Sequence, residues 1–229
     1  MDDTIGRIEG VLFDFDGVIV DSMPHHVEAW QMAHLEMFNE PIADEIYRKL
    51  AGRASKTISE ILTKRMDQPL LAQDLAKLKS KKMLDNIQNL PLLPGVIECF
   101  RYLKKIGLPF GIVSNSSRPY LIECTSFHKL EVEVLLGLED FKRPKPNPDP
   151  YILGAKKLGL PFNKFKNVLV FEDSTHGLEA ASMAGMVPIG VQTFHNNETL
   201  RNHGAIATVE HLEGAMRKEM FTRPLLDEK

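Results

Sequence analysis

The run Val11-Leu12-Phe13 is apolar, too short for a helix, and bounded by Gly10 and Gly17, a pattern that predicts a buried strand. Comparable runs at 110–113, 132–136, 168–171 and 187–191 predict further strands, with a weaker one at 205–208. Between them, stretches with helical patterning cover 96–106, which Gly107 ends, then 118–127, 151–158 and 175–184. Such alternation of strand and helix specifies a parallel sheet flanked by helices.

The first strand is separated from this block by a segment with no strand pattern. Pro24 opens a helix that runs to about Phe38, with Val27, Trp30, Ala33 and Met37 near one face and Trp30 read as core. A shorter helix is expected over 42–50, then a break at 51–55. Helical patterns resume at 56–65 and 70–88, divided by Asp67-Gln68-Pro69. Asn89 to Gly95, with three Pro or Gly residues in seven, reads as a linker. The expected architecture is therefore α/β: a doubly wound parallel sheet built from residues 1–18 and 93–229, carrying an inserted all-helical domain over 19–92. The charged tail 221–229 is expected to fray.

Composition narrows the function. A chain of 229 residues is long enough for one sizeable core with an insertion, and needs neither disulfide nor metal merely to fold. A net charge of -3 argues against a nucleic-acid partner. The two cysteines, Cys99 and Cys124, lack metal-ligand or C-x-x-C spacing, and Cys99 sits in an apolar helical pattern. The acidic start Met1-Asp2-Asp3 is unlike a signal peptide, and no apolar run approaches the ~20 residues of a membrane span. A cytoplasmic protein with no membrane partner is expected, and nothing suggests an extended interface, so a monomer is expected as well.

Candidate chemistry gathers at strand ends. Asp14 and Asp16 follow the first strand, Ser114 and Asn115 the second, and Glu172 and Asp173 a later one, with Lys145 in a proline-rich loop between. In an open α/β sheet, ligands bind beyond the carboxyl ends of the strands, so these positions converge in space. Paired acids either divide acid and base roles or hold a cation such as Mg2+. Each feature also has a plain structural reading: Asp-x-Asp-Gly as a solvated turn, 114–117 as a helix cap, Lys145 as an exposed loop lysine, and Glu172-Asp173 as a strand-end turn.

Taken in order, Asp14-x-Asp16-Gly17, Ser114 after an apolar strand, Lys145-Pro146 and Glu172-Asp173-Ser174 resemble the motifs of the haloacid dehalogenase superfamily. The inserted helical segment is similar to that superfamily's helical cap. Asp21-Ser22-Met23-Pro24-His25-His26 and Ala29-Trp30 resemble its beta-phosphoglucomutase and sugar-phosphate phosphatase branch. The resemblance implies Asp14 as nucleophile and Asp16 as general acid and base. It implies Mg2+ on Asp14, the Asp16 carbonyl and Asp173, with Glu172 direct or through water, and phosphate binding by Ser114, Asn115 and Lys145. Asp16 itself is a mark of the phosphatase and mutase branches, since dehalogenases lack that acid.

The implied function is hydrolysis of a small phosphorylated metabolite, a sugar phosphate or nucleoside-type monophosphate. A hexose-phosphate mutase and a silent metabolite-binding protein are the alternatives. In the cap, His26 matches the branch's histidine near the site, with a helix-surface histidine as its plain reading. Gly52, Arg53 and Lys56 occupy the loop where the branch's mutases place a Gly and a phosphate-gripping Arg, with a solvated loop as the plain reading of Arg53 and Lys56. There Arg53 directly follows Gly52, whereas the mutase arginine comes later. Lys82 is a further cap cation without an assigned place.

Overall fold

A computed structural model describes residues 7–43, 45–46, 50 and 55–222. The chain divides into two compact units, one of Met1–Asp21 with Pro91–Lys229 and one of Ser22–Leu90. Residues 19–21 and 91–92 go with the first unit because the outgoing and returning segments pair. Asp21 N donates to Pro91 O at 3.0 Å, and Leu93 N to Ile19 O at 2.9 Å.

The first unit is a parallel sheet of six strands among the described residues. They are β1 (Gly10–Phe13), β2 (Phe110–Val113), β3 (Val134–Leu136), β4 (Val168–Glu172), β5 (Val187–Val191) and β6 (Ala207–Val209), in the order β3-β2-β1-β4-β5-β6. The helices of this unit are α4 (Val96–Ile106), α5 (Arg118–Phe127), α6 (Asp149–Lys157), α7 (Thr175–Met183), α8 (Asn197–Asn202) and α9 (Leu212–Arg217). Strand alternation gives the sheet two apolar faces. Leu12 and Val170 pack with Tyr151 and Ala155 of α6 and with Ala180 and Ala181 of α7. On the other face Phe13 stacks on Phe171, its register partner on β4, at 5.3 Å between ring centroids, and Phe100 of α4 and Phe110 join them. Both faces are covered, as an all-parallel sheet requires. Strand order reverses between β1 and β4, and at such a switch point the carboxyl ends of neighbouring strands open a crevice.

Several elements differ from the sequence expectation. β3 begins at Val134, two residues later than the apolar run, and β6 lies at Ala207–Val209, where its register with Ile189–Val191 of β5 places it. The short helices α8 and α9 were not legible as apolar stripes. The start of α8 did carry a signal, since Asn196 caps it by accepting the Thr199 N–H at 2.9 Å.

The second unit contains α1 (Met23–Phe38), α2 (Ser55–Arg65) and α3 (Ala72–Asp85). Trp30, Ala33, Ile58, Leu62 and Leu75 form its core, with Trp30 fully buried. The expected helix over 70–88 is a shorter α3 flanked by 3-10 turns at Pro69–Leu71 and Ile87–Asn89. Of the expected helix over 42–50, residues 44 and 47–49 lie outside the described residues. α1 ends where Asn39 takes a left-handed conformation, and the Gln31 side chain binds both backbone groups of Ile42, pinning the returning chain.

Candidate active site

β1 ends at Phe13, and Asp14 N still donates to Phe171 O of β4 at 2.9 Å, which fixes Asp14 at the switch point. The chain then turns tightly, with Phe15 O accepting from Ile19 N at 2.9 Å. Gly17 has a positive φ of 74°, and a Cβ there would lie 1.9 Å from Asp173 Oδ2. Glycine is thus required twice over, for the turn and for the approach of Asp173. Thr193 Oγ1 donates to Gly17 O at 2.6 Å and ties the turn to the segment after β5.

Four strand-end groups meet here. Lys145 Nζ donates to Asp14 Oδ1 at 2.6 Å, to Glu172 Oε1 at 2.7 Å and to Val113 O at 2.7 Å. Its side chain is 3% exposed, so the exposed-loop reading of Lys145 is wrong: its ammonium turns inward onto two carboxylates. Asn115 holds the backbone that carries it, donating to Lys145 O at 3.2 Å and accepting from Lys145 N at 3.1 Å. The side-chain amide of Asn115 is therefore engaged by the peptide of Lys145. Ser114, buried beside Asp14's strand, accepts from Ser116 N at 3.0 Å and shapes the loop after β2. The helix-cap reading of this stretch fails at its last residue, since Ser117 precedes α5 without a side-chain capping bond.

Asp14, Glu172 and Asp173 each offer a carboxylate oxygen within 4.8 Å of the others. Burial pushes the Asp14 carboxyl up to about 8, Lys145 opposing the rise and Glu172 and Asp16 adding to it. Asp173 is likewise held well above the usual carboxylate range by burial and by its acidic neighbours. Burial alone would lower Lys145, but Asp14 and Glu172 outweigh it and keep the ammonium charged. One buried ammonium thus faces three buried acids. A hard divalent cation with oxygen ligands would relieve that excess of acidic charge, so the donor set fits such an ion.

Asp16 stands to one side of this trio. Ser116 Oγ donates to its Oδ2, and Tyr120 OH lies 3.5 Å from its Oδ1. Tyr120 is itself placed by an edge-on contact with Phe15. Neither Ser116 nor Tyr120 stood out in the sequence, because a serine before a helix and an aromatic inside one are ordinary.

Within the helical unit, Lys79 Nζ and His26 Nδ1 are 2.7 Å apart, and the ammonium lies 5.8 Å from the centre of the Trp30 ring. Lys79 is only 4% exposed. Sequence reasoning named Lys82 instead, whose ammonium pairs with Glu36. A signal for Lys79 was present: it interrupts the apolar stripe of Leu75 and Met83 at intervals of four. Lys56 is exposed and 4.0 Å from Glu60, so it is a solvated surface residue. Gly52 and Arg53 lie outside the described residues.

A parallel sheet of this order, with acids, a lysine and a serine on the loops at its switch point, gathers these side chains where α/β proteins bind their ligands. The family model for haloacid dehalogenase-like hydrolases matches residues 11–191, and the chain belongs to that family. Hexitol phosphatase A of Escherichia coli is 30% identical over 189 residues, 81% of this chain and 83% of that protein. The phosphorylated carbohydrates phosphatase of Thermotoga maritima is 27% identical over 210 residues, 89% and 94% of the two chains. The crystal structure of a family IA, variant 3 HAD hydrolase from Entamoeba histolytica superposes with a TM-score of 0.77 at 26% identity, covering 93% of this chain and 98% of that one. No helix among the described residues is long and apolar enough to cross a membrane.

Proposed function

We propose that this chain is a Mg2+-dependent phosphatase that hydrolyses a small phosphorylated metabolite, a sugar phosphate or nucleoside-type monophosphate. The observation that carries the reading is the meeting of Asp14, Glu172, Asp173 and Lys145 at the switch point of the sheet. Relatives named for hexitol and carbohydrate phosphates support the substrate class.

In this reading an Asp14 oxygen attacks phosphorus, the bond from phosphorus to the substrate oxygen breaks, and an aspartyl-phosphate forms. Asp16 gives its proton to the departing oxygen. It then takes a proton from the water that attacks the same phosphorus, so phosphate leaves and the Asp14 carboxylate is restored. Lys145 keeps Asp14 oriented and offers positive charge to the transferring group, and Ser114 and Asn115 shape the loop that receives it. Asp14, Asp173 and the Asp16 carbonyl would hold Mg2+, with Glu172 adjacent. Bound there, the ion would supply charge neutralisation that favours the ionised Asp14 and offsets the negative charge of the phosphoryl oxygens. The helical unit is assigned the role of cap, choosing among substrates.

A phosphate-release screen with Mg2+ across sugar phosphates, nucleotides and phosphoglycolate tests the reading. Release from one small group of substrates is expected. Positional isomers of a hexose phosphate without net release would establish a mutase, and the absence of both would leave a binding protein. Lys79→Met is expected to change the kcat/KM ranking of the substrates by about tenfold between best and worst affected. An equal loss on every substrate would remove Lys79 from selection.

Mg2+ binding is expected to stabilise the fold. An acid whose folded-state pKa lies above its unfolded value folds best when protonated. The cost of Asp14 therefore begins as pH rises past the ordinary carboxylate value of 3.8 and grows until about 8. Metal-free protein should lose stability across that window, and saturating Mg2+ should raise the thermal midpoint at pH 8 by about 5 to 10 °C. The gain should be smaller at pH 5. A midpoint indifferent to Mg2+ at pH 8 would contradict the proposed ion.

A further inference from the structure

Tyr151 stands in the first turn of α6 and is fully buried, yet it carries a hydroxyl that a packing role does not need. Phenylalanine would fill the same space without a polar atom to satisfy. The hydroxyl donates to Glu172 Oε1, the same oxygen that Lys145 Nζ engages at 2.7 Å. The ring lies beneath that ammonium, 4.6 Å from Nζ to its centroid. Glu172 Oε2 in turn accepts the Ser174 hydroxyl at 2.9 Å and the Ser174 N–H at 3.3 Å. The backbone of Gly177 closes over the carboxylate so tightly that a Cβ there would lie 1.9 Å from it. Glu172 is thus gripped from three elements, the Lys145 loop, α6 and the start of α7.

We propose that Tyr151 is a positioning residue for the reaction, acting through Glu172. Its hydroxyl fixes the orientation of the Glu172 carboxylate, and the fixed carboxylate holds Lys145 Nζ against Asp14. The ring and the hydroxyl have separate jobs: the ring face supports the ammonium, and the hydroxyl sets the carboxylate. The inference rests on the reading of Asp14 as nucleophile.

The test is a double-mutant cycle on the full chain with Tyr151→Phe, Glu172→Gln and the pair together. Tyr151→Phe keeps the ring and leaves Glu172 its bonds from Lys145 and Ser174, so the variant is expected to fold. On the best phosphate ester of the wild type, kcat is expected to fall about fivefold, the loss of one buried hydrogen bond, with KM within about twofold. Calorimetric titration with Mg2+ alone should show the apparent Kd raised by about threefold. In the Glu172→Gln background the same change should alter either quantity by less than about twofold, because a neutral amide no longer draws the Lys145 ammonium by charge and its orientation ceases to matter.

An equal fractional effect of Tyr151→Phe in both backgrounds, or no effect in either, would reduce Tyr151 to packing and overturn the inference. Should Tyr151→Phe fail to fold, Ser174→Ala, which removes a donor from the other oxygen, enters the same cycle. There a dependence on Glu172 supports the clamp and independence overturns it. A wild type that releases no phosphate would instead overturn the reading of the reaction. The Mg2+ titrations are read whether or not phosphate is released, so the two failures are distinguishable.

Discussion

Asp14→Asn is expected to lower phosphate release by at least about a thousandfold, because an amide oxygen is a poor nucleophile and a weaker cation ligand. The fold should survive. Asparagine keeps the volume of the side chain, and its carbonyl oxygen can still accept from Lys145 Nζ, now 2.6 Å from Asp14 Oδ1. Burial holds the Asp14 pKa near 8, so ionising this group costs stability in metal-free protein. A neutral asparagine removes that cost, and metal-free Asp14→Asn should match or exceed the wild-type thermal midpoint at pH 8. Parallel measurement of phosphate release and thermal unfolding checks both halves. Activity above a few per cent of wild type would remove Asp14 from the chemistry. A collapsed midpoint would mean that it holds the fold instead.

Lys145→Met is expected to have the second largest effect, in the opposite direction on stability. Lys145 Nζ makes three hydrogen bonds, to Asp14, Glu172 and the Val113 carbonyl, and methionine replaces none of them. Breaking a buried ion pair from one side leaves the remaining charges uncompensated and costs about 3 to 5 kcal/mol. The sign with pH follows from Asp14. Without the ammonium that opposes its upward shift, the folded-state pKa of Asp14 rises further. The variant therefore loses more stability relative to wild type once pH climbs through about 8, where wild-type Asp14 ionises beside the ammonium and the variant's carboxyl stays protonated. Activity should fall by about a hundredfold or more, since the charge facing the transferring phosphoryl group is lost. Denaturant unfolding at about pH 6 and about pH 9 tests the stability claim, and an equal loss at both values would show that Asp14 is not coupled to Lys145.

The strand ends were legible because short apolar runs leave few ways to continue. Val11, Leu12 and Phe13 are fully buried on a central strand, and the acids that follow had to emerge at its carboxyl end. The order of the strands was not legible in the same way, since it depends on which crossover goes to which side of β1. Lys145 was visible as a lysine between prolines, but its inward turn depends on Asn115, thirty positions earlier in the chain. Tyr151 gave no signal, because its hydroxyl partner, Glu172, lies on a different element. Lys79 sat among neighbouring lysines, and only its place on the apolar side of α3 separates it from them. Local pattern thus located the acids, while their supporting groups are set by tertiary contacts.

The most direct test of the account is chemical trapping of the covalent intermediate. Purified protein turning over its best phosphate ester with Mg2+ is quenched with borohydride, which reduces an aspartyl-phosphate to homoserine, and the peptides are read by mass spectrometry. The account predicts homoserine at position 14 in the turnover sample and unmodified aspartate there when substrate is omitted. Phosphate release accompanied by no modification at position 14, or by modification at another carboxylate, would contradict it.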